Sequence, residues 1–290
     1  MLVFNYLTLM RPKHWIKNLL IFAPLFFSLQ INIGKLIQVG VAVIAFSLMS
    51  SSIYVINDIF DVNLDRLHPE KKKRMIASNK ISVRAASLIA IVLFVVSIFI
   101  SSYLDVFFRV ILISYFVINL FYTKILKHIP IVDVMIIAIG FVLRILAGAS
   151  AIKIDISHWI VLCTFFGALF IAFGKRKNEN DLLKKNSHAH RSTLLTYTPD
   201  FINQLIGLTS VMVIMTYSLF TIDSHTIEHF GTENLIYTLP FVIFGVFRYF
   251  HILYNKYSGG DPTHIFLTDK SLISIFLMWV FSFALIVNLK

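Results

Sequence analysis

The stretch of sequence that decides the fold is YVINDIFDVNLDR, residues 54–66, where a long apolar segment ends in regularly spaced acids. Three aspartates, Asp58, Asp61 and Asp65, follow one another at intervals of three and four residues. At about 100° per residue, this spacing places them on one face of a helix. Like charges on one face repel one another, and charged groups beside lipid are costly. The pattern therefore indicates a site for a cation at the end of an apolar helix.

The side chains of this stretch carry the oxygen ligands that Mg²⁺ prefers. Mg²⁺ in proteins is usually held by one or two carboxylates together with substrate phosphates. We predict Asn57, Asp58 and Asp61 as metal ligands, and Asp58, Asp61 and Asp65 as the catalytic group. The alternative is a solvated polar helix end, neutralised by Arg66 and the basic run at 71–74.

The composition around this stretch excludes a water-soluble domain. The chain has 290 residues, of which 58% are hydrophobic and 14% are charged, and its mean hydropathy is +0.81. Soluble domains carry about 25% charged residues. We predict an all-α, polytopic membrane protein in which residues 1–290 form a single integral membrane domain, a bundle of nine transmembrane helices. The predicted spans lie near 16–33, 38–56, 84–103, 106–122, 131–150, 157–174, 203–222, 234–250 and 271–289.

The distribution of Lys and Arg predicts the orientation. Of the 26 basic residues, 20 lie in segments on one side of the predicted spans and four on the other. By the positive-inside rule, the N-terminus is cytoplasmic and the C-terminus is outside, in a multi-pass protein of the inner (plasma) membrane. The aspartates then face the cytoplasm. Because the positive charges are spread over membrane loops, we expect no nucleic acid partner.

The acidic pattern after the second of nine spans resembles the UbiA prenyltransferase superfamily. Further motifs resemble its decaprenyl-phosphate phosphoribosyltransferase branch, and together they cover essentially the whole chain. These motifs are Arg11-Pro12-x-x-Trp15-x-Lys17-Asn18, Asp65-Arg66-x-His68-Pro69, Leu126-Lys127-His128, Leu143-Arg144-x-x-Ala147-Gly148, Gly174-Lys175-Arg176 and Tyr197-Thr198.

The resemblance implies a Mg²⁺-dependent glycosyltransferase with its active-site cavity facing the cytoplasm. It would transfer a 5-phosphoribosyl group from phosphoribosyl diphosphate to a polyprenyl (decaprenyl-like) phosphate and release diphosphate, for cell-envelope glycan synthesis. The partners so implied are these two substrates and membrane lipids, and a homo-oligomer is left open.

The exit of the sixth span departs from aromatic prenyltransferases of the superfamily. Those typically carry a second Asp-rich motif there, whereas this chain has the basic run Gly174–Lys177. Extra cations suit substrates that carry three anionic groups. The predicted substrate-binding residues are Lys17, Tyr54, Arg66, Lys71, Arg74, Lys127, Arg144, Lys175 and Arg176. For Arg144, which lies inside an apolar span, the alternative is a structural pair with Asp133 or another acid.

Two rival functions stay open at this point. One is transfer of a polyprenyl group from its diphosphate to an aromatic acceptor, which the basic exit of the sixth span disfavours. The other is a cation-coupled transporter. Transporters place their sites near the bilayer midplane in repeated halves, whereas these acids lie at a helix end and no repeat is visible.

Overall fold

The computed structural model describes residues 2–68, 71–183, 196–255 and 262–289. Over these ranges the chain is helical and contains no β-strand. Its α-helices are α1 (Leu2–Met10), α2 (Ala23–Ser28), α3 (Ile33–Phe60), α4 (Val62–Leu67), α5 (Val83–Ser101), α6 (Val106–Lys124), α7 (Val132–Ala151), α8 (His158–Leu183), α9 (Pro199–Ile222), α10 (Ser224–Phe230), α11 (Leu239–Asn255), α12 (Pro262–Thr268) and α13 (Lys270–Asn288). Short 3₁₀ helices cover Pro12–Phe22, Lys71–Lys73, Leu126–His128 and Asn234–Thr238.

Eight helices in the described ranges are long and apolar enough to cross a membrane. They are α3, α5, α6, α7, α8, α9, α11 together with the turn before it, and α13. They correspond to the second to ninth predicted spans, so the prediction of a multi-pass helical membrane protein is confirmed. Their outward faces carry large exposed apolar side chains, which is typical of a surface in contact with lipid.

The first predicted span, near 16–33, differs from a regular membrane helix. It consists of the 3₁₀ helix Pro12–Phe22 and the short α2, and Leu29 ends it with a left-handed backbone (φ 56°). Pro24 lies at the start of α2 and has no N–H, so it cannot donate a hydrogen bond to the turn before it. A 3₁₀ helix rises about 2.0 Å per residue and an α-helix about 1.5 Å, so the two pieces together extend roughly 30 Å. That length matches a hydrocarbon core, although neither piece alone would span one.

The described chain forms two compact units, Met1–Ile156 and Ser157–Lys290, and each is described by itself. In the first unit α3 packs against α5 through small residues. Ser52 donates a hydrogen bond to the carbonyl oxygen of Ala90 at 2.8 Å, and Ser97 donates one to that of Ala45 at 2.7 Å. Such interhelical bonds and small side chains hold helices together where water is absent.

Helix α7 lies close to the chain at Ile21. A Cβ atom added at Gly148 would lie 2.1 Å from the carbonyl oxygen of Ile21, far inside contact distance. Only glycine therefore fits at this crossing, which brings α7 against the end of the 3₁₀ helix Pro12–Phe22.

The second unit combines a polar network with an apolar cavity. Trp279 donates to the hydroxyl of Tyr217 at 2.7 Å, and that hydroxyl lies 2.5 Å from the hydroxyl of Thr238. The cavity has a volume of about 680 Å³, and its lining includes Phe170, Val213 and Trp279. Its walls are almost entirely apolar, so the cavity suits a hydrocarbon chain rather than a phosphate.

Candidate active site

The three aspartates lie where α3 gives way to α4. Asp61 is the residue between the two helices, with φ −90° and ψ 2°. Its N–H donates to the carbonyl oxygen of Asn57 at 3.0 Å, and the N–H of Asp65 donates to that of Asp61 at 2.8 Å. Because these i→i+4 bonds continue across the junction, the spacing predicted from the sequence is kept. Asp58 and Asp65 are buried and Asp61 is half-buried.

Arg74 joins the first and last of these acids. Its Nη1 donates to Oδ1 of Asp58 at 3.0 Å and to Oδ2 of Asp65 at 2.7 Å. The loop that carries Arg74 is held in place because Ile76 and Ile81 are buried in the apolar cluster that α3 shares with α5. The structure thus brings two of the predicted catalytic aspartates and one predicted substrate-binding residue together.

Arg11 is a member of the site that the sequence analysis did not select. Its Nη2 donates to Oδ1 of Asp58 at 2.5 Å, and its guanidinium lies 5.4 Å from the ring centre of Tyr54. Arg11 has a left-handed backbone (φ 53°), which turns the chain between α1 and the helix that begins at Pro12. The sequence signal was the Arg11-Pro12 pair in a family-like motif, but the turn that directs the side chain toward Asp58 is not readable from residue types.

Lys127 engages the third acid. It lies in the 3₁₀ helix Leu126–His128 between α6 and α7, and its Nζ donates to Oδ1 of Asp61 at 2.5 Å. Lys127 is 4% exposed, so its ammonium group is turned into the protein and does not extend to solvent. Each predicted catalytic aspartate therefore has a cationic partner.

Three other predicted substrate-binding residues of the first unit lie on α3, on α4 and in the 3₁₀ helix Lys71–Lys73. Tyr54 contacts Arg11, and its ring centre lies 5.3 Å from that of His14. Arg66 is exposed and donates to Oδ1 of Asn79 at 2.8 Å. Lys71 is half-buried in the loop before Arg74.

Lys17 lies on the 3₁₀ helix Pro12–Phe22 and is half-buried. Lys175 and Arg176 belong to the second unit, on α8. Lys175 is exposed, whereas Arg176 is buried and pairs with Glu179 at 2.5 Å. The basic residues Lys184, Lys185, Arg191 and Lys256, which contributed to the predicted orientation, lie outside the described residues.

Arg144 is buried in a polar network away from the acids. Its Nε donates to Oδ1 of Asn18 at 2.9 Å, its Nη1 to the carbonyl oxygen of Gly140 at 2.6 Å, and its Nη2 to the hydroxyl of Tyr115 at 3.0 Å. Asn18 in turn donates to Ser47 at 3.0 Å and to Ser50 at 3.3 Å. Within the described ranges no carboxylate forms an ion pair with Arg144, so the alternative pair with Asp133 is not formed.

The serines locate this network along α3. Ser50 precedes Asp58 by eight residues, which is about 12 Å at 1.5 Å per residue. Arg144 therefore lies deeper in the bundle than the acids. The structure does not bring it together with the residues around Asp58.

The donor chemistry at the end of α3 fits a hard divalent cation. Asp58 and Asp65 reach a common nitrogen, the carboxylate of Asp61 is one turn away, and Asn57 offers an amide oxygen. Across the described part of the chain, no three His, Cys, Asp or Glu side chains are gathered tightly enough to hold one ion. The carboxylates are contacted instead by the guanidinium groups of Arg11 and Arg74 and the ammonium group of Lys127.

Comparison with known proteins places this arrangement in a family. The profile of the UbiA prenyltransferase family matches residues 19–280. A decaprenyl-phosphate phosphoribosyltransferase of Corynebacterium glutamicum is 34% identical over 279 residues, which are 94% of this chain and 83% of the relative. One of Mycolicibacterium smegmatis is 32% identical over 291 residues, covering 96% of this chain and 91% of the relative.

A solved structure shows the same fold. A UbiA homologue from Archaeoglobus fulgidus, bound to GPP and Mg²⁺, matches with a TM-score of 0.74 over 96% of this chain and 98% of that one. The two sequences are 20% identical, so this likeness concerns the fold alone.

Proposed function

The chain belongs to the UbiA prenyltransferase family, and from that premise we propose that it transfers a 5-phosphoribosyl group from phosphoribosyl diphosphate to a polyprenyl phosphate, with release of diphosphate. The observation that carries the proposal is the acid cluster with its three cations, Arg11, Arg74 and Lys127. Relatives that resemble the chain over nearly its whole length are named decaprenyl-phosphate phosphoribosyltransferases, which supports this reaction class. The basic exit of α8 is consistent with substrates rich in phosphate.

We assign the metal site to Asn57, Asp58 and Asp61, with Asp65 beside them. Their oxygens suit Mg²⁺, which when bound would neutralise charge on the departing diphosphate. Divalent metal occupies a structure of the same fold, which supports this assignment.

In this proposal, the cationic side chains of the chain bind the phosphate groups of the substrates. Arg11, Arg74 and Lys127 bind diphosphate oxygens, and Lys17, Arg66 and Lys71 supply further positive charge for the phosphates. Tyr54 is a further proposed substrate contact in the first unit, and Arg144 remains a predicted one deeper in that unit. In the second unit, Lys175 and Arg176 remain predicted phosphate-binding residues of α8. Fixed cations lower the energy of charge that builds on the leaving group.

The acceptor phosphate attacks the anomeric carbon from the face opposite to the leaving diphosphate. A phosphate monoester has a second pKa of about 6, so its oxygen is largely ionised at neutral pH. No side chain has to remove a proton from it. Positioning and electrostatics would therefore supply the rate.

We further propose the arrangement in the membrane. Residues 12–28 form a ninth crossing, antiparallel to α3, because Arg11 meets Asp58 at one end and Asn18 meets Ser47 deeper in the bundle. Nine crossings place the termini on opposite sides of the plasma membrane. The excess of Lys and Arg assigns the side of the aspartates to the cytoplasm, where a phosphoribosyl donor would enter.

The test is a transfer assay on purified protein in detergent, with labelled phosphoribosyl diphosphate, a polyprenyl phosphate and Mg²⁺. We expect label to move into the organic phase, and we expect this to stop in EDTA and in the Asp61→Asn variant. Asp61→Asn should lower turnover by at least about 100-fold while the protein stays folded. If instead prenyl diphosphates are consumed with aromatic acceptors and no phosphoribosyl label moves, the chain is a prenyltransferase and this proposal is wrong.

A further inference from the structure

Every acid of the cluster is already engaged by a cation of the chain. Oδ1 of Asp58 accepts from both Arg11 and Arg74, Oδ2 of Asp65 accepts from Arg74, and Oδ1 of Asp61 accepts from Lys127. The side chains of Asp58 and Asp65 are each 5% exposed, so water contributes little to their neutralisation. The three carboxylates of the cluster are thus contacted by three cationic side chains of the chain.

These contacts cannot all persist when a divalent metal binds. A metal ion that binds the carboxylates of Asp58 and Asp61 competes for oxygens that already accept hydrogen bonds. Oδ1 of Asp58 is contacted by Arg11 and Arg74, and Oδ1 of Asp61 is contacted by Lys127. Cations held a few ångströms apart in a poorly solvated site repel strongly. The guanidinium groups of Arg11 and Arg74 must therefore leave Oδ1 of Asp58, and the bound ion adds two positive charges that an anion has to offset.

We propose that Arg11, Arg74 and Lys127 exchange partners, binding the carboxylates in the ligand-free protein and diphosphate oxygens in the loaded one. The inference rests on the proposed function for the metal site and for taking a diphosphate as the anion. Guanidinium and ammonium groups bind carboxylate and phosphate oxygens through the same charge-assisted hydrogen bonds, so the exchange needs no new chemistry.

The exchange makes metal and diphosphate binding depend on each other. Metal alone binds weakly because it has to displace Arg74, and diphosphate alone binds weakly because its cations are held by Asp58, Asp61 and Asp65. When both are present, each displaced group gains a new partner. Binding of either ligand then strengthens binding of the other by the same factor.

The test measures metal binding without any substrate. Mn²⁺ is titrated into the purified full-length protein in detergent, and free Mn²⁺ is followed by electron paramagnetic resonance. In Arg74→Gln we expect Mn²⁺ to bind at least about tenfold more tightly than in the unaltered protein, because charged hydrogen bonds no longer compete for the oxygens. Arg84→Gln is the matched control, since Arg84 is an exposed cation of the same unit with no ion pair among the described residues; its Mn²⁺ affinity should stay within about twofold.

The second measurement uses labelled inorganic diphosphate with excess Mg²⁺, in equilibrium dialysis. Here Arg74→Gln should bind about tenfold more weakly, the opposite direction to its Mn²⁺ affinity. Arg11→Gln should show the same pair of opposite changes and serves as the second variant if Arg74→Gln does not fold. Three results would overturn the exchange. They are a fall of both the Mn²⁺ and the diphosphate affinity in the same variant, an unchanged Mn²⁺ affinity in both variants, and no binding of Mg²⁺-diphosphate by the unaltered protein.

These outcomes are separable from the proposed function. Neither measurement contains a phosphoribosyl group or a lipid. Absence of phosphoribosyl transfer with opposite changes in Mn²⁺ and diphosphate affinity would reject the proposed substrate and keep the exchange. Transfer of phosphoribosyl label without those opposite changes would keep the proposed function and reject the exchange.

Discussion

The guanidinium of Arg144 donates from Nε to the amide oxygen of Asn18 at 2.9 Å, and this bond joins α7 to the helix Pro12–Phe22. The rings of Phe46, Tyr115 and Phe141 also face the guanidinium at 5.0–5.3 Å. A buried charge is thus held by amide, carbonyl and hydroxyl groups and by aromatic faces. Arg11 lies directly before the 3₁₀ helix that contains Asn18. By holding Asn18, Arg144 therefore helps to fix the position of this helix and with it the contact between Arg11 and Asp58.

Arg144→Met should lower the free energy of unfolding by about 2 kcal/mol, since the polar partners of Arg144 are left unsatisfied in the core. Thermal unfolding of the purified protein without substrate measures this loss. Arg84→Met, at an exposed position, should leave the midpoint unchanged. A raised KM with an unchanged unfolding midpoint would instead support the predicted contact of Arg144 with substrate phosphate.

Gly148→Ala should destabilise the first unit by about 1–3 kcal/mol, because the added methyl group overlaps the carbonyl of Ile21 and no flexible side chain can yield there. The matched control is Gly207→Ala on α9, where an added Cβ meets nothing within 4 Å. Thermal unfolding of the two variants in the same detergent compares them. Equal midpoints for both would show that α7 and the segment at Ile21 are less closely packed than the structure indicates.

Removal of divalent metal should abolish transfer reversibly. Carboxylate and amide ligands favour Mg²⁺ and Mn²⁺, so either ion added after EDTA should restore activity, measured as label entering the organic phase. The control is the unfolding midpoint, which should be the same in EDTA as in Mg²⁺, because the three carboxylates are paired with Arg11, Arg74 and Lys127. Full activity after exhaustive chelation would contradict the metal assignment.

The ninth crossing predicts that Lys13 and Gln30 lie on opposite sides of the membrane. Both are exposed, and Cys163 is the single cysteine of the chain, so Cys163→Ala gives a background for Lys13→Cys and Gln30→Cys. A thiol reagent that does not cross membranes should label Gln30→Cys in intact spheroplasts and Lys13→Cys in inverted vesicles only. Labelling of both from one side would show that residues 12–28 re-enter rather than cross.

Local patterns were sufficient for much of the architecture. Runs of about 20 apolar residues predicted α3, α5–α9, α11 and α13, because the bilayer thickness fixes the length of a helix that crosses it. The spacing of Asp58, Asp61 and Asp65 predicted a shared helix face, and it survives the junction at Asp61 because the i→i+4 hydrogen bonds continue. The segment at 12–28 was less regular than predicted, since a 3₁₀ stretch and Pro24 leave no signature in hydropathy.

The sequence by itself determined that this is a helical membrane protein with an acid cluster at a helix end, because periodicity and hydropathy are properties of neighbouring residues. Only the tertiary structure decided which cations meet which acids. Arg11 lies 47 residues from Asp58 and Lys127 lies 66 residues from Asp61, and nothing local to any of these residues encodes the contact. The fold also separated Arg144 from the cluster by giving it Asn18 and Tyr115 as partners. Such pairings follow from the turn at Arg11, the close crossing at Gly148 and the packing of distant helices, which act over distances that a sequence pattern does not record.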